Sequence, residues 1–190
     1  MIKILLLILM ICFGINSILF GQDSLRCFPT NTKNGTPNCA VFSSNGKYIA
    51  TGVYGVIRVW ETDSNIFKDY KTVAKNETPL FVSFSPDDKF IASGVYGAVR
   101  IWELNTDNYT DYKLNTVNST PNFVCFSPNG EYIATGIFGA VRVWNLKSGK
   151  FVDYPTRLKN ETPQFVTFSS DSQFIAFGSF GEVRTWKISN

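Results

Sequence analysis

Four tryptophans, Trp60, Trp102, Trp144 and Trp186, stand 42 residues apart, and the same interval separates Phe42, Phe84, Phe126 and Phe168. Asn34, Asn76, Asn118 and Asn160 keep it too, with no insertion or deletion between them. Identity at a fixed period means one supersecondary unit copied in tandem, each copy burying an apolar face against its neighbour. The units run 34–75, 76–117, 118–159 and 160–190.

Inside a unit the apolar period is that of strands. Phe81-Val82-Ser83-Phe84 alternates, and the tetrapeptide after it (SPDD here; SSNG, SPNG and SSDS in the other units) supplies a hairpin turn. A second run, Tyr48-Ile49-Ala50-Thr51, ends at Gly52. A third, Val56 to Trp60, is rich in β-branched residues, and after a polar loop comes a fourth, Ile66 to Tyr70. Four strands per unit joined by short turns predict an all-β fold in which each unit is one blade of a β-propeller.

The pattern F-S-P-D/N-x-x-Y/F-I-A-S/T-G followed by V-R-V/I-W resembles the tryptophan-aspartate (WD) repeat family, over the chain from about residue 24 onward. The resemblance implies a propeller of four four-stranded antiparallel blades that binds or scaffolds a protein or peptide without catalysis. Three departures stand out. The glycine-histidine pair that opens such a unit is missing, and the residue after Trp is Glu61, Glu103, Asn145 or Lys187 instead of Asp. The turn between the second and third strands also lacks its usual Asp. The buried His, Ser/Thr, Asp and Trp network of that family therefore cannot form.

The repeat itself offers a substitute. If the third strand folds back on the fourth, Trp60 falls opposite Phe67, Trp102 opposite Tyr109 and Trp144 opposite Phe151. Two residues away, Arg58 meets Asp69, Arg100 meets Asp111 and Arg142 meets Asp153. Cross-strand pairs of both kinds contribute about 0.2–1 kcal/mol each. An Arg held between an aromatic ring and a carboxylate adds more. Because they recur in every complete blade, these pairs read as structural.

The fourth unit has no fourth strand after Trp186, but residues 25–34 (LRCFPTNTKN) align with residues 151–160 (FVDYPTRLKN). Residues 24–30 are thus expected to complete the last blade. Cys27 occupies the Asp position there, which leaves Arg184 without its repeat partner. Two closures are open: a four-blade ring in a monomer, or a two-chain ring of eight blades formed by exchange of end strands.

Residues 1–21 stand apart from the repeats. Lys3, an apolar run from Ile4 to Ile15 and a small exit residue, Gly21, have the layout of a secretory signal peptide, leaving 22–190 secreted or in the secretory lumen. The alternative is an uncleaved membrane anchor, since Ile4 to Phe20 is 17 residues, at the lower edge of a span. Beyond residue 21 only Cys27, Cys39 and Cys125 remain, too few and too scattered for a disulfide framework. Cys39 and Cys125 read as small buried strand residues.

For function, the absence of histidine excludes Ser-His-Asp and Cys-His nucleophile systems, His-ligated zinc and a proximal haem ligand. No cofactor or metal is expected. With 18 Lys and Arg against 15 Asp and Glu, the charge is too small and too spread for a nucleic-acid partner. An enzyme of glycosidase or lyase type would have to draw on Asp63, Asp87, Asp88 or Glu182, which lie in different turns and are not paired.

Binding has a better candidate. The turns between second and third strands carry Tyr54, Tyr96, Phe138 and Phe180, each followed by glycine. Four aromatics around one opening either form a stacking platform for a peptide or glycan, or plug the narrow centre of the ring. Glu182 is the one charged irregularity beside them. Asn34, Asn76, Asn118 and Asn160 begin N-x-T glycosylation sequons followed by Pro, a composition that also simply makes turns. Asn108-Tyr-Thr is the better acceptor.

Overall fold

The computed structural model describes residues 26–30, 37–64, 66–72, 79–115, 120–121 and 123–189. The expected export segment 1–21 and the sequon residues Asn34, Asn76 and Asn118 lie outside the described residues. The chain divides into a short unit, Met1–Asn31, and a second unit, Thr32–Asn190, that holds every described strand.

That second unit is a propeller of four antiparallel blades. Blade 1 contains β1 (Val41–Phe42), β2 (Tyr48–Val53), β3 (Val56–Glu61) and β4 (Phe67–Lys71). Blade 2 contains β5 (Val82–Phe84), β6 (Phe90–Val95), β7 (Ala98–Glu103) and β8 (Tyr109–Lys113). Blade 3 contains β9 (Cys125–Phe126), β10 (Tyr132–Ile137), β11 (Ala140–Asn145) and β12 (Phe151–Pro155). Blade 4 contains β13 (Val166–Phe168), β14 (Phe174–Ser179) and β15 (Glu182–Lys187). Strands follow sequence order across each sheet, and no described residue is helical.

The turn after each first strand is built by one serine and one Asn or Asp. Ser85 Oγ donates to Asp87 Oδ1 at 2.6 Å and accepts the Phe90 amide at 2.9 Å. Ser43 with Asn45, Ser127 with Asn129 and Ser169 with Asp171 repeat the arrangement. The fourth turn residue is left-handed in every blade, and in blades 2 and 4 it is not glycine: Asp88 has φ 55° and Ser172 φ 59°. Both side chains reach back to the turn of the preceding blade. The Asp88 carboxylate accepts the Ser44 and Asn45 amides at 2.7 and 2.8 Å, and Ser172 Oγ accepts the Asn129 amide at 3.0 Å. These bonds offset the cost of the unusual backbone.

The core lies between blades, not within them. Ala50, Ile57 and Val59 of blade 1 pack on Val82, Ile91, Ala98 and Trp102 of blade 2. Ala92, Val99 and Ile101 meet Val124, Ile133, Ala140 and Trp144 at the next junction, and Ala134, Val141 and Val143 meet Val166, Phe168 and Ile175 at the third. A tyrosine latches each junction. Tyr70, Tyr112 and Tyr154 stand edgewise or tilted against Trp102, Trp144 and Trp186 of the following blade, ring centroids 6.0–6.4 Å apart. Their hydroxyls bond backbone just beyond that Trp: Tyr70 and Tyr154 accept the Asn105 and Ser189 amides, and Tyr112 donates to Leu146 O.

Tight junctions also need glycine. A Cβ on Gly94 would stand 2.5 Å from Pro121 O and 2.9 Å from its Cβ, and Gly52 and Gly136 face Pro79 and Pro163 in the same way. Each of these prolines opens the following unit and is buried.

Among the described residues, the last blade has three strands. Its sheet ends at β15, and residues 26–30 carry no strand. In the other blades a short polar loop and an Arg–Asp fork tie the fourth strand down. Cys27 cannot supply the carboxylate, and Arg184 bonds Glu182 instead, Nε to Oε1 at 2.6 Å. Nor is the array closed into a ring. First strands meet in the succession β1 with β5, β5 with β9 and β9 with β13.

Candidate binding rim

Each β2–β3-type hairpin turns on two residues, an aromatic and a glycine. Gly55, Gly97, Gly139 and Gly181 take φ of 78°, 72°, 80° and 76°, a conformation only glycine enters cheaply. The aromatic before each is thereby held at the tip of a rigid hairpin. Tyr54 is 52% exposed, Tyr96 51%, Phe138 66% and Phe180 71%. Equivalent positions in four blades put all four hairpin tips at the same end of their sheets.

Between the tips run the inter-blade linkers. The Gly139 amide donates to Glu161 O at 2.7 Å, the Ser179 hydroxyl donates to Glu161 Oε2 at 2.9 Å, and the Arg157 amide donates to Ser179 Oγ at 3.0 Å. Glu182 sits at this end of blade 4, exposed, and its hydrogen bond from Arg184 holds the carboxyl below its ordinary value. Asn160, in the same linker, is exposed.

The repeated Arg, Asp and aromatic residues form a fork on the outer side of each complete blade. Arg58, Arg100 and Arg142 each direct Nε and Nη2 onto the two carboxylate oxygens of Asp69, Asp111 and Asp153, at 2.6–2.8 Å. Each guanidinium lies 3.7–4.1 Å from the ring of Phe67, Tyr109 or Phe151 and 5.8–6.0 Å from that of Trp60, Trp102 or Trp144. Arg142 also donates to Leu114 O of the preceding blade at 2.5 Å. All three guanidiniums are buried, with Nε and Nη2 engaged by these carboxylates.

The carboxylates that an enzyme would need serve turns. Asp88 caps the neighbouring turn, and Asp63 is exposed. Burial pushes the Asp87 carboxyl up, but the Ser85 hydroxyl, the Lys89 amide and the Lys89 ammonium together bring it below its ordinary value. A general acid working near neutral pH needs a shift in the opposite direction.

A feature that sequence reasoning missed lies between blades 2 and 3. A groove of about 540 Å³ is lined by Phe90, Ile101, Tyr109, Tyr112, Phe126 and Leu146, with Glu103, Asn108 and Lys147 among its polar lining. Its residues come from the first turns, the β7–β8 and β11–β12 loops and strands β6, β7, β8 and β9. Only pairing across two blades reveals it, since no single unit contains both walls.

Cys39, Cys125 and Cys27 are all free thiols, Cys27 exposed. Burial pushes Cys125 up to about 12 and raises Cys39 as well. Only the thiolate alkylates, so iodoacetamide at pH 8 is expected to modify Cys27 of the folded chain at least about 100-fold faster than Cys125. Peptide mapping by mass reads this directly, and equal rates would mean that the blade 3 junction opens readily.

The family model described as WD domain, G-beta repeat matches residues 14–61 and 73–103. No curated protein matches the chain.

Proposed function

We propose that the chain is a divergent WD-repeat protein and an exported, non-catalytic binding propeller that receives a protein or peptide segment on its aromatic rim. WD repeats generally mediate protein–protein interaction or scaffolding. The observation that carries the reading is the exposure of Tyr54, Tyr96, Phe138 and Phe180, four large rings at the same place in four blades. Rigid amphipathic aromatics give large contact area at low entropic cost, and their repetition gives a partner several equivalent footholds.

A peptide drawn from a random display library against the native chain is the working probe. Its affinity is expected to fall at least about 10-fold on the Tyr96→Ser, Phe138→Ser double variant. It should change less than about 2-fold on a Glu103→Gln, Lys147→Gln variant of the groove. Unchanged affinity on the rim variant sinks the reading. The same rings offer a stacking face to sugars, so a glycan array run beside the peptide selection separates the two ligand classes.

Export rests on residues 1–21 and is tested by mass. A mature chain beginning at Gln22 is expected, and an intact Met1 on a membrane-associated product would establish an anchor instead. In a eukaryotic secretory route Asn108 is the preferred glycan acceptor. It is exposed beside the groove, its Nδ2 donating to Glu103 Oε2 at 3.0 Å, so a glycan there and a ligand in the groove would exclude each other.

A further inference from the structure

Among the described residues, two faces of the blade array are uncovered, and each is what the other would cover. At every internal junction the forward face of one blade offers a β-branched residue of its third strand, Ile57, Val99 or Val141, each fully buried by the next blade. In blade 4 the same position is Val183, and it is 72% exposed. Thr185, in the place of buried Val59, Ile101 and Val143, is exposed too. The glycine tells the same story. Gly52, Gly94 and Gly136 each lie under a proline of the following blade, whereas a Cβ on Gly178 would meet only the ring of Phe165 from its own blade.

The backward face of blade 1 is the complement. Pro37 holds the position of Pro79, Pro121 and Pro163, and it alone of the four is exposed. Phe42 is 66% exposed where Phe84, Phe126 and Phe168 are buried or half-buried, and Ile49 is half-buried where Ile91, Ile133 and Ile175 are fully buried.

We infer that a second copy of this chain docks its blade 1 on blade 4 of the first, and the reverse, closing an eight-blade ring with twofold symmetry. The surface recognised is the inter-blade junction already formed three times inside the chain, so the partner's chemistry is fixed by continuity with it. Quarter-turn junctions would bring Gly178 onto Pro37 of the same chain. Those two faces stay open among the described residues, so one chain does not close the ring by itself. Two copies supply eight, within the range of propeller rings, and a head-to-tail junction that returns to its start closes instead of growing into a filament. Closure would place eight aromatic tips around one opening.

The test is native mass spectrometry, with sedimentation velocity at about 20 µM, on the full chain as secreted or purified. Twice the chain mass is expected. Val183→Asp and Phe42→Asp each place a charge on one of the two open faces, and each is expected to weaken association at least about 30-fold and give single chains. Both positions are exposed in one chain alone, so both variants should keep the native circular-dichroism spectrum. Mixing the two variants leaves one junction intact, and a two-chain species should return. A native sample of single chains overturns the inference, as do a ladder of larger assemblies, a pair unaffected by either charge, and a mixture that stays monomeric.

Discussion

Replacing Arg142 with alanine is expected to destabilise the chain by about 3 kcal/mol and to lower its thermal midpoint by about 6–12 °C. The substitution removes both bonds to Asp153, the stack on Phe151 and the bond across the junction to Leu114 O. It leaves a carbonyl without its donor at the join of two blades, which is where the cost concentrates. Arg142→Lys should recover little, because an ammonium can neither fork onto a carboxylate nor stack as a plane. Arg184 supplies the internal control. Among the described residues it bonds only the neighbouring exposed Glu182, so Arg184→Ala should fall within about 0.5 kcal/mol of native. Equal losses at Arg142 and Arg184, by urea titration, would mean that the fork is not what holds a blade.

Acid should weaken the same device. In blade 2 the hydrogen bonds from Arg100 hold Asp111 below the usual carboxylate range. A group whose folded value is depressed contributes stability that is present above its unfolded value, near pH 4, and lost as pH falls through the folded one. Stability is therefore expected to decline below about pH 4, and less steeply in Asp111→Asn.

The second large effect is steric. A methyl added at Gly94 points at the Pro121 carbonyl and cannot be accommodated by rotating a side chain, because the obstacle is backbone. Gly94→Ala should cost at least about 3 kcal/mol, at or beyond the upper end of ordinary overpacking. Gly97→Ala, three residues on, meets nothing within 4 Å but sits at φ 72°, so its cost is backbone strain alone, about 1–2 kcal/mol. If the two variants unfold at the same urea concentration, the junction is looser than the Gly94–Pro121 approach implies.

These two glycines show what the sequence made legible. Gly97 follows an aromatic between two alternating runs, and that local pattern announces a hairpin. The same period-2 alternation places Trp102 opposite Tyr109 and Arg100 opposite Asp111, because a hairpin of known loop length has a single register that buries its apolar face. Gly94 looks like any strand-ending glycine, yet its reason lies in a proline of the next unit. Asp88 is similar: it reads as a turn residue or a candidate acid, but its carboxylate belongs to the turn of blade 1. Periodicity within a unit is written in adjacent residues. Contacts between units depend on how far each blade rotates on the last, and no local pattern encodes that angle.

The last blade illustrates the same limit. Alignment of residues 25–34 with 151–160 identifies a strand-like segment, but likeness to a fourth strand does not supply the Asp that would tie it to Arg184. The rim is a mixed case. Four aromatics at one interval are plain in the sequence, whereas their exposure is seen only once the blades are arranged in space. The groove beside Tyr109 and Leu146 was invisible for want of that arrangement.

Amide hydrogen exchange with and without the selected peptide tests the binding rim most directly. Bound peptide is expected to slow exchange at the hairpin tips around Tyr54–Gly55, Tyr96–Gly97, Phe138–Gly139 and Phe180–Gly181, leaving the groove segments around Tyr109 and Lys147 unchanged. Protection confined to those groove segments, or spread over neither surface, would contradict the assignment of function to the aromatic rim.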